Sequence, residues 1–120
     1  MKGRLLLLAI ACASVWLMSV PGSSARAPVP VGVIEGEYYV HLTGRISASH
    51  GAIKFNVWNH GEDDHQLYIG RNSKQYGLIA RLAPDEHRSI TVTLPPGTYN
   101  LACRLPGHLG LGMVTHFRVT

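Results

Sequence analysis

Apolar and polar side chains alternate along most of this chain, and this pattern restricts its fold more than any other feature. Within short segments the apolar residues recur at every second position, and Gly, Pro, Asn and Asp separate the segments. Such a period predicts β-strands with one buried face, because successive side chains of a strand point to opposite faces of the sheet. The alternating segments are residues 37–43, 53–58, 65–69, 90–94, 99–103 and 113–119.

The segments between these strands add little helical signal. Residues 28–32 contain two prolines and are expected to form an extended lead-in, whereas residues 76–82 fit either a short turn of helix or an edge strand. Seven to eight short strands, separated by turn residues, predict an all-β chain folded as a Greek-key β-sandwich or barrel. The sequence shows no internal repeat and no low-complexity tract.

The first 27 residues have the organisation of a secretory signal peptide. A cationic start at residues 1–4 precedes an apolar run at residues 5–20, and Ala25-Arg26-Ala27 has the small-x-small form of a cleavage site. The run is shorter than the roughly 20 residues of a membrane-spanning helix, although an uncleaved anchor is the alternative. We therefore predict a leader at residues 1–27, a single domain at residues 28–120, and a periplasmic or secreted protein.

Removal of this leader changes what the composition implies about partners. The full chain has 11 Lys and Arg against 7 Asp and Glu, but three of these cations lie in the leader, so the formal charge falls from +4 to +1. No basic cluster remains, and we expect no nucleic-acid partner. One cysteine, Cys103, and one methionine, Met113, remain. An exported chain with one thiol forms no internal disulfide, so the thiol is inert, intermolecular or a metal ligand.

The remaining cysteine and methionine bracket a histidine on one loop rich in Gly and Pro. Cys103, His108 and Met113 follow one another at five-residue intervals, and the glycines between them allow a tight fold. A thiolate, an imidazole and a thioether together suit copper, whereas a zinc site, the nearest rival, rarely includes methionine. His65 is the best candidate for a second imidazole, since it follows a turn and opens a strand whose apolar residues share its phase.

These motifs resemble those of the cupredoxins, the small type 1 blue copper proteins such as azurin, plastocyanin, rusticyanin and auracyanin. The resemblance covers the chain from about residue 38 onward. The ligand loop is longer than that of plastocyanin and closer to the rusticyanin and auracyanin kind. The matching motifs are Asn59-x-Gly61-x-x-x-His65, Leu94-x-Pro96-Gly97-x-Tyr99-x-x-x-Cys103, Cys103-x-x-Pro106-Gly107-His108 and Gly112-Met113.

The resemblance implies one type 1 copper ion that cycles between Cu(I) and Cu(II) and carries single electrons. His65, Cys103 and His108 would be the equatorial ligands and Met113 the axial one. The backbone amide of Leu105 would donate a hydrogen bond to the cysteine sulfur. The alternatives are a copper-binding protein for delivery, storage or resistance, and a copper-free structural module.

The resemblance also implies partners that dock near His108. We expect redox proteins such as c-type cytochromes or membrane oxidoreductases, with the solvent-facing edge of His108 as the electron port. Leu105, Leu109 and Leu111 surround this histidine and either form an exposed apolar collar or close the top of the core. We expect a monomer that contacts a membrane only through an uncleaved leader.

Enzymes that reuse this fold are argued against by the residues beside Cys103. Multicopper oxidases flank the ligand cysteine with histidines, whereas this chain has Ala102 and Arg104 there. A site filled by four protein ligands also leaves no open position for a substrate. We therefore predict a protein that is not an enzyme.

Other polar residues near these motifs are expected to have structural roles. The acidic residues 62–64 are predicted to form a solvated turn beside His65. The remaining histidines show no spacing typical of a metal site. These histidines are His41, His50, His60, His87 and His116.

Overall fold

The structure is a computed structural model that describes residues 22, 24–45 and 47–120. Most of the predicted leader, residues 1–21 and 23, lies outside the described residues. Residues 24–28 are exposed and precede the first strand. Within the described ranges, no helix is long and apolar enough to cross a membrane.

Among the described residues, nine β-strands form two sheets, which confirms the predicted all-β sandwich and adds one strand to the upper expected number. The four-stranded sheet has the order β2-β1-β4-β7, and the five-stranded sheet has the order β3-β9-β8-β5-β6 once the strands are numbered along the chain. The strands are β1 (Val29–Gly36), β2 (Tyr39–Thr43), β3 (Ser47–Ala48), β4 (Gly51–Asn59), β5 (His65–Arg71), β6 (Lys74–Leu82), β7 (His87–Leu94), β8 (Gly97–Ala102) and β9 (Val114–Val119).

Residues 29–32 of the expected extended lead-in belong to strand β1, and Pro28 precedes it. β1 pairs in parallel with β4 from Val29 to Glu35, but it pairs with β2 only from Gly32 onward. Pro30 therefore lies where β1 has a neighbour on one side only, and a proline is tolerated at such an edge. Val31 and Val33 are buried in the core. The prolines disguised a strand that the valine alternation supports.

Residues 76–82 form part of β6, which resolves the choice between helix and edge strand. In the part of the chain that the structure describes, β6 lies at the edge of the five-stranded sheet and pairs with β5 alone. Irregular register between His65 and Leu67, and again between Ile69 and Gly70, interrupts this pairing. Because such bulges shift side chains between faces, the segment lacks strict alternation.

The core lies between the two sheets and determines where the loops converge. Phe55 of β4 and Phe117 of β9 pack edge to face with ring centroids 5.3 Å apart. Tyr99 is fully buried, and its hydroxyl donates to the Pro95 carbonyl oxygen at 2.5 Å. This core continues to one end of the sandwich, where Cys103 and Met113 are among its buried members.

Candidate metal centre

Two adjacent strands bring His65 and Cys103 to the same end of the five-stranded sheet. His65 is the first residue of β5, and Cys103 follows the last residue of β8. β5 and β8 are antiparallel, with Tyr68 opposite Ala102, so the start of one strand lies beside the end of the other. Both side chains are fully buried. The prediction that both would point inward at a strand end is confirmed.

The loop from Cys103 to Met113 is closed by its own backbone hydrogen bonds. The Cys103 amide donates to the Met113 carbonyl at 3.0 Å, and the Met113 amide donates to the His108 carbonyl at 3.2 Å. Gly107 and Gly112 have φ angles of 84° and 110°, in a region that favours glycine. The loop therefore doubles back, so that the residues at its two ends and its midpoint lie close together.

The side chains of His65, Cys103 and His108 converge on one point. The Nδ1 atoms of the two histidines lie 3.3 Å apart, and the Cys103 sulfur lies 3.4 Å from Nδ1 of His108. All three donor atoms lie within 4.8 Å of one another. Donors at the corners of a plane around one ion, with bonds of about 2 Å, are separated by about 3.5 Å. The arrangement therefore has the size of a mononuclear metal site.

Met113, the fourth predicted ligand, is fully buried beside this group and lies near His65. Its backbone bonds to both Cys103 and His108 fix its place in the loop. A buried thioether can act as a weak additional donor to a soft metal ion. The structure thus brings the four predicted residues to one end of the fold.

Two opposing influences act on the pKa of the Cys103 thiol. Burial raises the pKa of Cys103, whereas hydrogen bonds from the backbone amides of Leu105 and Gln66 lower it, and burial has the larger effect. The Leu105 amide is the one that the sequence analysis predicted to act on this sulfur, and the Gln66 amide is an addition. Because metal ions bind the thiolate, binding would displace the thiol proton while the two amides stabilise the anion.

Glu37 contacts the site although the sequence analysis did not identify it. Its Oε1 atom lies 3.2 Å from Nε2 of His65 and accepts hydrogen bonds from the backbone amides of Glu62 and Asp63, each at 2.8 Å. The hydrogen bond from the backbone amide of Asp63 is the main influence that lowers the pKa of Glu37. Burial lowers the pKa of His65, which favours its neutral, metal-binding form. No sequence spacing announces this contact, because Glu37 and His65 are 28 residues apart.

Glu35 is a second acidic residue that the sequence analysis did not single out. Its side chain is fully buried at the end of β1, and neither carboxylate oxygen has a hydrogen-bond partner in the described part of the chain. Burial raises the pKa of Glu35 to about 7. Its charge also contributes to the raised pKa of Cys103. A buried acid therefore lies within electrostatic range of the predicted ligand cysteine.

The surface around His108 is partly apolar. Leu109 and Leu111 are 48% and 58% exposed, whereas Leu105 packs against the core, so the three leucines divide between the two expected roles. The ring of Tyr38 meets that of His108 edge to face at 5.2 Å. In the acidic turn, Asp64 forms an exposed ion pair with Arg81 at 2.6 Å.

Comparison with solved structures places this geometry in a known fold. Auracyanin from Roseiflexus castenholzii matches with a TM-score of 0.65 and 19% identity, covering 79% of this chain and 99% of that one. Auracyanin B matches with a TM-score of 0.68 and 20% identity, and the match covers 79% of this chain and 91% of that one. The chain has the cupredoxin fold. Reduced rusticyanin also matches, with a TM-score of 0.60, 15% identity and coverage of 79% and 82%.

The cupredoxin fold of this chain also occurs inside larger enzymes. A copper-containing nitrite reductase from Thermus scotoductus matches with a TM-score of 0.61 and 18% identity, but this chain covers only 32% of it. The auracyanins are instead matched over nearly their whole length. Neither the protein-family models nor the curated proteins give a match to this sequence. This chain therefore covers the solved auracyanins far more completely than it covers the nitrite reductase.

Proposed function

We propose that this chain is an exported electron carrier in which His65, Cys103 and His108 would hold one copper ion, with Met113 as a weaker fourth donor. The observation that carries the proposal is the convergence of these three donor atoms within 4.8 Å of one another. They lie at one end of a fold shared with auracyanin, which is described as a "blue" copper protein. Two imidazoles, one thiolate and one thioether are the donors of electron-transfer copper sites.

The chain supports this function by holding its donors in place. When bound, copper would accept and release one electron. His65 and Cys103 extend from paired strands and are fully buried, so neither has space to move when the charge of the site changes. Met113 is held by backbone bonds to two other members of the site. Restricted movement of the donors keeps the reorganisation that accompanies electron transfer small.

Electrons would enter and leave through His108. His108 is partly exposed, whereas His65, Cys103 and Met113 are fully buried. The exposed Leu109 and Leu111 offer an apolar contact beside it. A redox protein such as a c-type cytochrome or a membrane oxidoreductase would dock there and approach the imidazole edge.

The visible spectrum of the copper-loaded protein tests the assignment. Addition of Cu(II) should produce an intense blue colour from thiolate-to-copper charge transfer, and reduction should bleach it. The variant Cys103→Ser should lose the colour, whereas His41→Ala, at an exposed histidine outside the donor group, should keep it. A colourless Cu(II) adduct of the unaltered chain contradicts the proposal.

Kinetics distinguish an electron carrier from a protein for copper delivery, storage or resistance. Stopped-flow mixing with a c-type cytochrome measures electron exchange, and mixing with a chelator measures copper loss. A carrier should exchange electrons fast and lose copper slowly. Fast transfer of copper to the chelator, with slow electron exchange, would favour the copper-handling alternative.

A further inference from the structure

We propose that Glu37 is the positioning residue for His65: its carboxylate holds the imidazole proton on Nε2 and leaves Nδ1 free to bind a metal ion. The part of this inference that concerns copper rests on the proposed function. The part that concerns the position of the proton is a property of the metal-free chain and can be tested alone.

Hydrogen bonds hold the Glu37 carboxylate against the turn before β5. A single oxygen, Oε1, lies within hydrogen-bond distance of three donors, namely the backbone amides of Glu62 and Asp63 and the imidazole Nε2 of His65. The two hydrogen bonds from backbone amides are 2.8 Å each, and hydrogen bonds to an ionised acceptor are stronger than those to a neutral one. The turn therefore holds the carboxylate in place before it engages the histidine.

Gly61 leaves space for the Glu37 carboxylate, because it has no side chain. A Cβ atom at position 61 would collide with both carboxylate oxygens of Glu37. Asn59 holds the same turn from within, because its side-chain oxygen accepts a hydrogen bond from the Gly61 amide at 2.8 Å. The turn between β4 and β5 is thus shaped to receive an acidic side chain from the end of β1.

The chemistry of the two partners determines where the proton lies. A neutral imidazole has one N–H donor and one acceptor nitrogen, and an ionised carboxylate can only accept. Contact between Glu37 and Nε2 therefore places the proton of His65 on Nε2. Nδ1 then carries the free lone pair, and it faces Nδ1 of His108 inside the donor group. Glu37 thus orients His65 in the way that acidic partners orient metal-binding histidines generally.

His108 lacks a corresponding acidic partner in the described part of the chain. Its Nδ1 faces His65 and Cys103, and its ring contacts the edge of Tyr38. Its backbone amide donates to the Leu105 carbonyl at 3.0 Å, which fixes it through the loop. The two histidines are therefore held differently, and only His65 has its proton fixed by a charged side chain.

Loss of the Glu37 carboxylate should weaken copper binding in a defined direction. Removal of an acidic partner from a metal-binding histidine typically lowers metal affinity tenfold to hundredfold. The negative charge of Glu37 favours Cu(II) over Cu(I), so Cu(II) affinity should fall further than Cu(I) affinity. A tenfold difference between the two losses raises the reduction potential by about 59 mV for a one-electron couple.

Nitrogen NMR of the metal-free full chain tests the position of the proton. In the unaltered protein, His65 should carry its proton on Nε2 alone. Glu37→Ala should give a mixture of the two tautomers, while Glu37→Gln, whose amide oxygen still accepts hydrogen bonds, should largely restore the Nε2 form. Glu62→Gln is the matched control, because it removes the same charge at an exposed side chain and keeps the backbone amide that donates to Glu37.

Titration with Cu(II) and measurement of the potential test the consequence. Glu37→Ala should bind Cu(II) at least tenfold more weakly, and Glu62→Gln should match the unaltered chain. A proton on Nδ1 of His65 in the unaltered chain overturns the proposal, as does unchanged tautomer and affinity in Glu37→Ala. If the tautomer shifts in this variant while the copper-loaded chain is colourless, the positioning role stands and the proposed function fails.

Discussion

The Nδ1 atoms of His65 and His108 lie 3.3 Å apart, although the two residues are 43 positions apart in the sequence. Two ring nitrogens that face each other at this distance cannot both carry a proton on the line between them. With the proton of His65 on Nε2, Nδ1 of His108 is the atom that can donate, either to His65 or to the Cys103 sulfur. A metal ion entering the group would move this proton to Nε2 of His108 and would release the thiol proton of Cys103, so metal affinity should rise with pH.

The Met113 thioether should influence the reduction potential without deciding whether metal binds. Met113→Gln replaces a soft thioether with a harder amide oxygen, which favours Cu(II) over Cu(I). We expect the variant to keep its bound copper and its charge-transfer band but to have a lower reduction potential. Redox titration beside the unaltered chain measures the shift. An unchanged potential would show that the Met113 sulfur does not act on the metal.

Glu35 should make the metal-free protein less stable as the pH rises. Burial raises its pKa from 4.5 to about 7, so the folded chain binds this proton more tightly than the unfolded chain does. The contribution is fully present below pH 4.5 and is lost as the pH rises to about 7, because the slope of stability follows the difference in bound protons. The two pKa values differ by the equivalent of about 3 kcal/mol.

The variant Glu35→Gln removes this titration while keeping the shape of the side chain. Between pH 5 and pH 8 its free energy of unfolding should rise relative to that of the unaltered chain, by up to about 3 kcal/mol. Urea unfolding at both pH values measures the difference. Glu62→Gln makes the same chemical change at an exposed position and separates the effect of burial. If the difference in the free energy of unfolding between Glu35→Gln and the unaltered chain is the same at both pH values, the prediction is contradicted.

Asn59 should couple stability to the site. Its side-chain amide donates to the carbonyls of Asp63 and Leu82 at 2.7 and 2.9 Å and is fully buried. Asn59→Ala leaves these buried carbonyls without that partner and should cost about 1–3 kcal/mol in the free energy of unfolding. Copper affinity should also fall, since the same turn seats Glu37. As a control, Asn56→Ala removes an exposed hydrogen bond that Asn56 accepts from the Ser89 hydroxyl, and it should leave copper affinity unchanged.

The exposed leucines beside His108 should affect partner encounter and not the metal site. Leu111→Asp places a charge on a side chain that is 58% exposed, so we expect an unchanged visible spectrum and potential. The rate of electron exchange with a c-type cytochrome should fall at least tenfold if apolar contact supports docking. Lys54→Ala, on the exposed face of β4, is the control. Equal rates for Leu111→Asp and Lys54→Ala would exclude this docking surface.

Local patterns in the sequence were sufficient to predict much of the fold. Alternation in residues 53–58 and 90–94 corresponds to β4 and β7, and the motif around Cys103 predicted the loop that closes the site. Strand β1 was missed because two prolines obscured its alternation. Its pairing with β4 explains how a proline is accommodated, since β1 has only one neighbour at Pro30.

The sequence by itself determined the donor types, because the identity and spacing of Cys103, His108 and Met113 are properties of one loop. Only the tertiary structure decided which side chains surround those donors. Glu37 reaches His65 across 28 residues, and Glu35 is buried without a partner where β1 ends. Such contacts arise when strands distant in sequence are paired, and hydrogen bonding and desolvation depend on position in space. Local periodicity carries no information about either.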